Sequence, residues 1–280
     1  MDSLIKNDEH ISNRINNMGP YRALRDRVNG LGYLRDEPLI PYLELDRFGS
    51  AALIRTFDLR YDLISTLVER WRSKTHTFHL SCGDCTVTLE DVALQLGFPI
   101  DGSVVTGIST ISMLAALYYS LLGVSPNDAE SKFTSLRFSW LKANFEHLLI
   151  NAIELEVMCA AQAYIMHIIG GVLMSNTNNN RVHLTHLPLL TDLQNVRSYS
   201  WGFAILAMLY HELYRTTKPN AIDIGGCLVL LQSWALYRMS FMASMEYQSG
   251  YGGSYTILIY HLMTEQHARE GVSYSSIRDM

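Results

Sequence analysis

The stretch Asp62–Gly107 constrains the fold most, because three local patterns follow one another in it with almost no slack. Its first part places apolar residues at helical spacing on one face, namely Leu63, Ile64, Leu67, Val68 and Trp71. Two short alternating segments, Thr75–Leu80 and Cys85–Thr88, then flank the turn-forming residues 81–84. The patterns predict a helix followed by a β-hairpin.

The end of this stretch carries the start and stop signals of a second helix. Thr88 is a good N-cap residue, and Asp91 stands three positions later, where an acidic side chain completes a capping box. Gly97 suits the C-terminal cap, because glycine adopts a left-handed conformation without a steric penalty. We therefore expect helix, hairpin and helix to form one compact unit.

The composition is that of a globular chain. Apolar residues make up 48% of the 280 residues and charged residues 18%, which is enough to bury a sizeable core. The formal net charge of −5 argues against nucleic acid as a direct ligand, since tight sequence-independent binding needs clustered Lys and Arg. Four cysteines are too few for a disulfide scaffold, and the polar N-terminal residues do not resemble a signal peptide.

Helical patterns dominate the rest of the chain. We expect a partly disordered leader over residues 1–37 with one short helix near 21–28, a helical domain over 38–245, and a C-terminal tail over 246–280. No internal repeat and no linker marks a second domain. The predicted fold is mainly α, a single compact helical domain with a small β-hairpin near residues 75–88.

The longest apolar stretch, Ile150–Met174, raises the question of a membrane span. Its uncharged part, Val157–Met174, is marginal in length and contains Gln162 and His167. A span needs about 20 consecutive apolar residues. We therefore predict a buried core helix here and no membrane association.

Four side chains able to bind metal lie close together in the hairpin, namely His76, His79, Cys82 and Cys85. Zinc prefers tetrahedral sets of such donors. In an extended strand, however, residues three apart point to opposite faces, so His76 and His79 do not reach the same ion. A single CxxC pair is a weak motif, and we predict ordinary packing with no bound metal.

Two groups of residues are candidates for a protein interface. Arg70 and Arg72 flank Trp71, and pairing with nearby acidic residues is their simpler explanation. The second group is aromatic, and core packing explains it more simply than a peptide groove: Tyr199, Trp201, Phe203, Tyr210, Tyr214, Trp234 and Tyr237. From the two groups we take as candidate partner-binding residues Arg70, Arg72, Tyr210 and Tyr214.

The run VERWRSKTHTFHLSCGDCTVTLEDVALQLGFPIDGSVVTG closely resembles the plant mobile domain, which occurs in MAIN-like proteins, long-form relatives of protein phosphatase 7 and some plant transposable elements. Members typically read ERWRPETHTFHLPCGE, so this chain departs mildly at Ser73, Lys74, Ser81 and Asp84. The resemblance continues through NRVHLTHLPLL, YSWGFAILAMLYHE and GGCLVLLQSWALYRM and fades beyond Met239, so the tail is divergent. The structural residues of the pattern are Trp71, His76, Phe78, His79, Gly83, Asp91 and Gly97.

The resemblance implies a non-catalytic nuclear protein-interaction module that acts in transposon silencing, gene expression and meristem maintenance. It also implies a partner similar to protein phosphatase 7. Two alternatives stay open at this point. A transposon-derived nucleic-acid-binding module would show a basic stripe on one face. An uncharacterised enzyme would show a deep polar pocket with converging titratable groups.

The sequence does not contain the residues needed for the enzyme activities that are sometimes attributed to this family. An aminotransferase needs a lysine for pyridoxal phosphate and a phosphate cradle, and no glycine-rich loop accompanies any of the five lysines, Lys6, Lys74, Lys132, Lys142 and Lys218. A metal-dependent phosphatase needs several Asp, His and Asn ligands, and the Gly83-Asp84 pair lacks the companion motifs. We expect no catalytic residues, no cofactor and no enzyme activity.

Overall fold

The computed structural model describes residues 10–11, 25–26, 37–54, 59–81, 83–106, 114–125, 131–132, 135–149, 151–175 and 181–239. The helices are α1 (Ile40–Leu45), α2 (Tyr61–Arg70), α3 (Leu89–Leu96), α4 (Leu114–Leu122), α5 (Phe138–Phe145), α6 (Glu154–Ile168), α7 (Leu193–Val196), α8 (Trp201–Thr216) and α9 (Leu228–Arg238). The strands are β1 (Arg25–Asp26), β2 (Trp71–Arg72), β3 (Thr77–Leu80), β4 (Gly83–Cys85), β5 (Ser131–Lys132), β6 (Ser135–Arg137), β7 (Arg181–His183) and β8 (Asp223–Ile224). The predicted mainly α fold is confirmed, and the structure contains small antiparallel sheets.

Helix α6 and the π-helical turn that continues it, Ile169–Leu173, form the centre of the core. A helix that is apolar on all sides must be buried on all sides, and α6 packs against α1, α4 and α5. The segment Glu154–Leu173 is long and apolar enough to cross a membrane, and 72% of its most apolar window is buried inside the protein. It is packed as the core helix that the sequence predicts.

The stretch introduced above as the main constraint on the fold forms α2, a three-stranded antiparallel sheet in the order β2–β3–β4, and α3. Two predicted boundaries are wrong. Helix α2 ends at Arg70, so that Trp71 opens strand β2, and β4 covers Gly83–Cys85 instead of residues 85–88. The extended backbone at Trp71 places it opposite Phe78, where its ring is fully buried. Tertiary packing has therefore overridden the helical periodicity.

The predicted caps of α3 are confirmed by their hydrogen bonds. The Thr88 Oγ1 accepts a hydrogen bond from the Asp91 amide at 3.2 Å, and the Thr88 amide donates to Asp91 Oδ2 at 2.8 Å. Gly97 ends the helix with φ of 74°. A Cβ atom there would also lie 2.9 Å from Ser50 Oγ, so both the backbone conformation and the space favour glycine.

Strands outside the hairpin were not predicted. The sheet β5–β6–β7 pairs Leu136 with Val182, and β7 crosses the π-helical turn so closely that a Cβ atom on Gly170 would lie 2.5 Å from Val182 Cγ2. Strand β1 pairs in parallel with β8, so the helix predicted near residues 21–28 is wrong at Arg25–Asp26. The partners in β6–β7 and β1–β8 lie far apart in the sequence, where local periodicity gives no signal, whereas β5 pairs with the adjacent β6 through only two residues.

A buried ionic network holds β8 against the end of α8. The Glu212 carboxylate is buried and accepts hydrogen bonds from Arg215 Nη2 and from the Gly225 amide, both at 2.8 Å. Arg215 also donates to the Asp223 carbonyl oxygen at 2.8 Å. A carboxylate that is removed from water needs such partners, because an isolated buried charge is costly. The network therefore fixes the backbone that follows α8.

Candidate interaction surface at the hairpin

An aromatic cluster joins the hairpin to α8 and α9. The Trp71 ring packs on Phe78 with centroids 4.8 Å apart and on Tyr210 at 5.2 Å, and Phe78 packs on Trp234 at 5.1 Å. Trp71, Phe78 and Trp234 are fully buried. Large aromatic rings in such contacts supply much of a core's stability. The predicted role of Trp71 and Phe78 as core anchors agrees with these contacts.

Tyr210, a candidate partner-binding residue, connects α8 to the residues that follow β4. Its hydroxyl donates a hydrogen bond to the Val87 carbonyl oxygen at 2.6 Å and lies 2.9 Å from Thr86 Oγ1. Burial raises the pKa of Tyr210, which keeps the hydroxyl protonated as a donor. The side chain is half-buried, so part of its ring remains accessible beside these contacts.

His76 covers the outer side of this cluster. Its ring stacks on Tyr210 with centroids 5.3 Å apart and an interplanar angle of 24°, and on Trp71 at 6.1 Å and 26°. The residue has φ of 53°, a left-handed conformation that is uncommon for residues other than glycine. His76 is nevertheless exposed. It forms an aromatic lid whose outer face meets solvent.

His79 lies on a different side of the hairpin from the Trp71 cluster. It stands directly opposite Asp84 across β3 and β4, and His79 Nδ1 lies 2.6 Å from Asp84 Oδ1. Arg72 pairs with Thr77, so by strand alternation Arg72 shares the face of His79 and not that of Trp71. Asp84, one of the acidic residues near the two arginines, is thus hydrogen-bonded to His79.

The metal candidates are not gathered into one group in the described part of the chain. His76 stacks on aromatic rings, His79 pairs with Asp84, and the half-buried Cys85 stands opposite Phe78. Cys82 lies outside the described residues. Among the residues that are described, no three His, Cys, Asp or Glu side chains lie close enough together to hold a metal ion.

Arg70 and Tyr214 border the cluster on its solvent side. Arg70 is exposed at the last position of α2, directly before Trp71. Tyr214 lies one helical turn after Tyr210, its side chain is 52% exposed, and Lys218 Nζ sits 5.7 Å from the centre of its ring. We call Arg70, His76, Tyr210 and Tyr214 the junction surface, because they belong to the elements that meet at the aromatic cluster: Arg70 precedes Trp71, His76 lies between β2 and β3, and both tyrosines lie on α8.

A contact from the N-terminal leader was missed by the sequence reasoning. His10 is buried, and its Nε2 donates a hydrogen bond to the Trp71 carbonyl oxygen at 3.0 Å. Burial lowers the pKa of His10, which favours the neutral ring. Thr86, whose side chain contacts Tyr210, was missed as well. No local pattern marks either residue, because both depend on partners far away in the sequence.

Comparisons with known proteins agree with the resemblance. The model of the family described as plant mobile domain matches residues 48–279, a range that includes most of the segment set apart as a tail. The chain is 42% identical over 224 residues to a serine/threonine-protein phosphatase 7 long form homolog of Arabidopsis thaliana, which covers 79% of this chain and 17% of that protein.

Two further relatives from Arabidopsis thaliana have similar coverage of this chain. Protein MAIN-LIKE 2 is 36% identical over 240 residues, covering 85% of this chain and 36% of that protein. Protein MAINTENANCE OF MERISTEMS is 32% identical over 244 residues, covering 86% of this chain and 51% of that protein. The chain therefore spans between about a sixth and a half of the length of these relatives. No solved structure matches it.

Proposed function

The chain belongs to the plant mobile domain family, and from this premise we propose that it is a non-catalytic protein-interaction module of the nucleus. In this proposal it serves transposon silencing, gene expression and meristem maintenance through a partner similar to protein phosphatase 7. The last of these roles is suggested by the name of one relative, Protein MAINTENANCE OF MERISTEMS, and the partner is the one that the family resemblance implies.

One observation supports the proposal: Trp71, Phe78 and Asp91 of the family pattern are engaged in packing and capping, while His76 of the same pattern and the neighbouring Tyr214 remain exposed. Trp71 and Phe78 are buried against α8 and α9, and Asp91 caps α3. Next to them, His76 and Tyr214 present exposed rings. Aromatic and arginine side chains are the usual anchors of protein interfaces.

The composition supports a protein partner over nucleic acid. The formal net charge is −5, and counterion release from nucleic acid needs several clustered Lys and Arg. Arg70 at the rim of the junction surface and Arg72 on the other face of the hairpin are candidate contacts to acidic residues of the partner. Two isolated arginines can speed the association with a protein partner, but they contribute little affinity for the phosphate backbone of nucleic acid.

Capture of a plant protein phosphatase 7-like protein tests the proposal. The tagged full chain should retain it, and the double variant Arg70→Glu with Tyr214→Ala should retain at least tenfold less, because it removes two anchors from the rim. Charge reversal at Arg72 alone should weaken capture with the fold intact. Nuclear extracts analysed by mass spectrometry extend the search to other partners.

Tyr119→Ala is the matched control, because Tyr119 on α4 is an exposed tyrosine, 70% accessible, outside the junction surface. It should leave capture unchanged. Equal capture by the double variant and the control would exclude the junction surface as the binding site. Tight DNA binding by the full chain at physiological salt, with no protein recovered, would contradict the proposed function as a whole.

A further inference from the structure

Helix α8 has one buried side and one exposed side. It packs against α3 and β8, and its buried side carries Ile205, Leu209 and Leu213, all fully buried. The opposite side carries Phe203 and Tyr214, which are 51% and 52% exposed. Phenylalanine is among the residue types that are most often buried. The exposed side of α8 is therefore a candidate surface for another molecule.

The exposed residues of α8 follow the spacing of a coiled-coil seam. Phe203, Ala207, Tyr210 and Tyr214 are separated by steps of four, three and four residues. Such steps keep side chains on one stripe of a helix, where the side chains of a second helix fit between them. Ala207 is exposed and Tyr210 is half-buried. We call these four residues the α8 seam.

The α8 seam is complementary to itself. Its steps of four, three and four residues are the same when the helix is read from its other end. Two copies that meet antiparallel therefore place Phe203 of each opposite Tyr214 of the other. The same register places the small Ala207 opposite the large Tyr210, and large side chains interdigitate best with small ones. A symmetric dimer makes each of these contacts twice.

The antiparallel arrangement also brings opposite ends of the helix together. Lys218 lies four residues after Tyr214, and Tyr199 lies four residues before Phe203, so the positions of Lys218 and Tyr199 face each other across the pair. Lys218 Nζ lies 5.7 Å from the centre of the Tyr214 ring, which places its positive charge at the seam. The seam therefore ends in a cation on its C-terminal side.

An acidic residue lies at the end that receives Lys218. Asp101 is exposed, and its loop is held at the start of α8 by a bridge between Ser103 and Tyr199, in which the Ser200 amide donates to the Ser103 carbonyl oxygen at 2.8 Å. Lys218 of each copy thus approaches Asp101 of the other. Opposite charges at both ends of the seam favour this direction and register over others.

The same loop adds apolar surface beside Asp101. Ile100 and Val104 are 52% and 64% exposed. With the half-exposed rings of Phe203 and Tyr214, they give each copy roughly 400 Å² of exposed apolar area, a size that is typical of interaction sites. Two such patches bury less area than a stable dimer needs, so we expect a weak dimer with a dissociation constant of roughly 10–100 µM.

We propose that α8 docks antiparallel on α8 of a second copy of this chain and forms a symmetric dimer through the α8 seam and the paired charges of Asp101 and Lys218. The dimer goes beyond the proposed function and does not rest on it. Tyr210 and Tyr214 also belong to the junction surface, so a second copy and the proposed partner exclude each other. The purified full chain, without any other protein, is therefore the sample that tests the dimer.

Sedimentation equilibrium of the purified full chain measures the dimer. The parent should show a monomer–dimer equilibrium, and Phe203→Glu should raise the dissociation constant at least tenfold, because it places a charge without a partner in the seam. Tyr119→Glu is the matched control at an exposed ring of α4 and should dissociate as the parent does. A parent that stays monomeric up to about 1 mM, or equal effects of the two variants, would overturn the proposal.

A charge swap tests the antiparallel register. Asp101→Lys and Lys218→Asp each set like charges against each other at both ends of the seam, so either change alone should raise the dissociation constant about fivefold. The double variant restores opposite charges and should dissociate as the parent does. Melting curves verify that each variant is folded, and both positions are exposed. A double variant that dimerises no more tightly than the single variants would contradict the proposed arrangement.

Discussion

The ring of Tyr210 packs on the ring of Trp71 with centroids 5.2 Å apart, although about half of the chain lies between the two residues. The contact joins α8 to the first strand of the hairpin, and the Tyr210 hydroxyl secures it by donating to Val87. Both sides of the contact come from segments that carry the family resemblance. Two of the blocks that carry the family resemblance thus meet in space around one aromatic cluster.

Trp71→Ala should destabilise the protein strongly. The ring is fully buried among Phe78, Tyr210 and His76, and truncation of a buried aromatic residue costs about 3–5 kcal/mol. The melting temperature should fall by roughly 10 °C for a domain of this size. Tyr119→Ala, at an exposed ring, should melt close to the parent. A Trp71→Ala melting point within a degree or two of the parent would show that Trp71 is not an anchor.

His76→Gly should be more stable than His76→Ala. Both variants lose the stack on Tyr210, but only alanine keeps the penalty of the left-handed conformation at φ of 53°. The difference in free energy of unfolding should be about 1 kcal/mol in favour of glycine. Ala143→Gly, at an exposed position of α5, is the control, where glycine should lower stability. Denaturant unfolding measures all three, and an alanine variant as stable as the glycine variant would argue against strain at residue 76.

Asp46→Asn should remove a pH dependence of stability. Asp46 is fully buried, and within the described residues neither carboxylate oxygen has a hydrogen-bond partner. Burial raises the pKa of Asp46 from 3.8 to about 7, with Arg197 opposing the shift and Asp192 adding to it. Because the folded state holds the proton more tightly, this stability is present below pH 3.8 and is lost as pH rises through about 7, by at most about 1.4 kcal/mol per pH unit.

The measurement is the unfolding midpoint of parent and Asp46→Asn at pH 5 and pH 8. The variant should gain stability relative to the parent at the higher pH. The comparison must be made as a difference between the two chains, because burial lowers the pKa of His167 to about 4 and its contribution is lost as pH falls from 6.5. An unchanged difference between parent and variant at the two pH values would mean that Asp46 is ionised at low pH in the folded state.

Protein purified without chelators should contain far less than one zinc ion per chain. Among the candidates, His76 is stacked on Tyr210 and His79 is paired with Asp84, so the two rings serve different contacts. Elemental analysis measures the metal content. One zinc per chain in the parent that is lost in Cys82→Ser but kept in Cys159→Ser would overturn the prediction.

The sequence predicted those features around the candidate surface that depend on residues close together in the chain. The capping box of Thr88 and Asp91 and the glycine cap at Gly97 use groups within one or two helical turns of each other, so their spacing contains the information. The apolar segment around α6 also predicted the core helix, which is buried together with its polar residues Gln162 and His167.

Only the tertiary structure decided where the distant partners meet. Tyr210 packs on Trp71, His10 donates to the Trp71 carbonyl oxygen, and β1 pairs with β8. In each case the two partners lie far apart in the sequence, so no local pattern predicts the contact. Trp71 lies in strand β2 and not in the helix that its spacing predicts, because an extended backbone buries its ring completely. Local periodicity therefore determined the helices and their caps, and the packing of side chains far apart in the sequence determined the surface that they present.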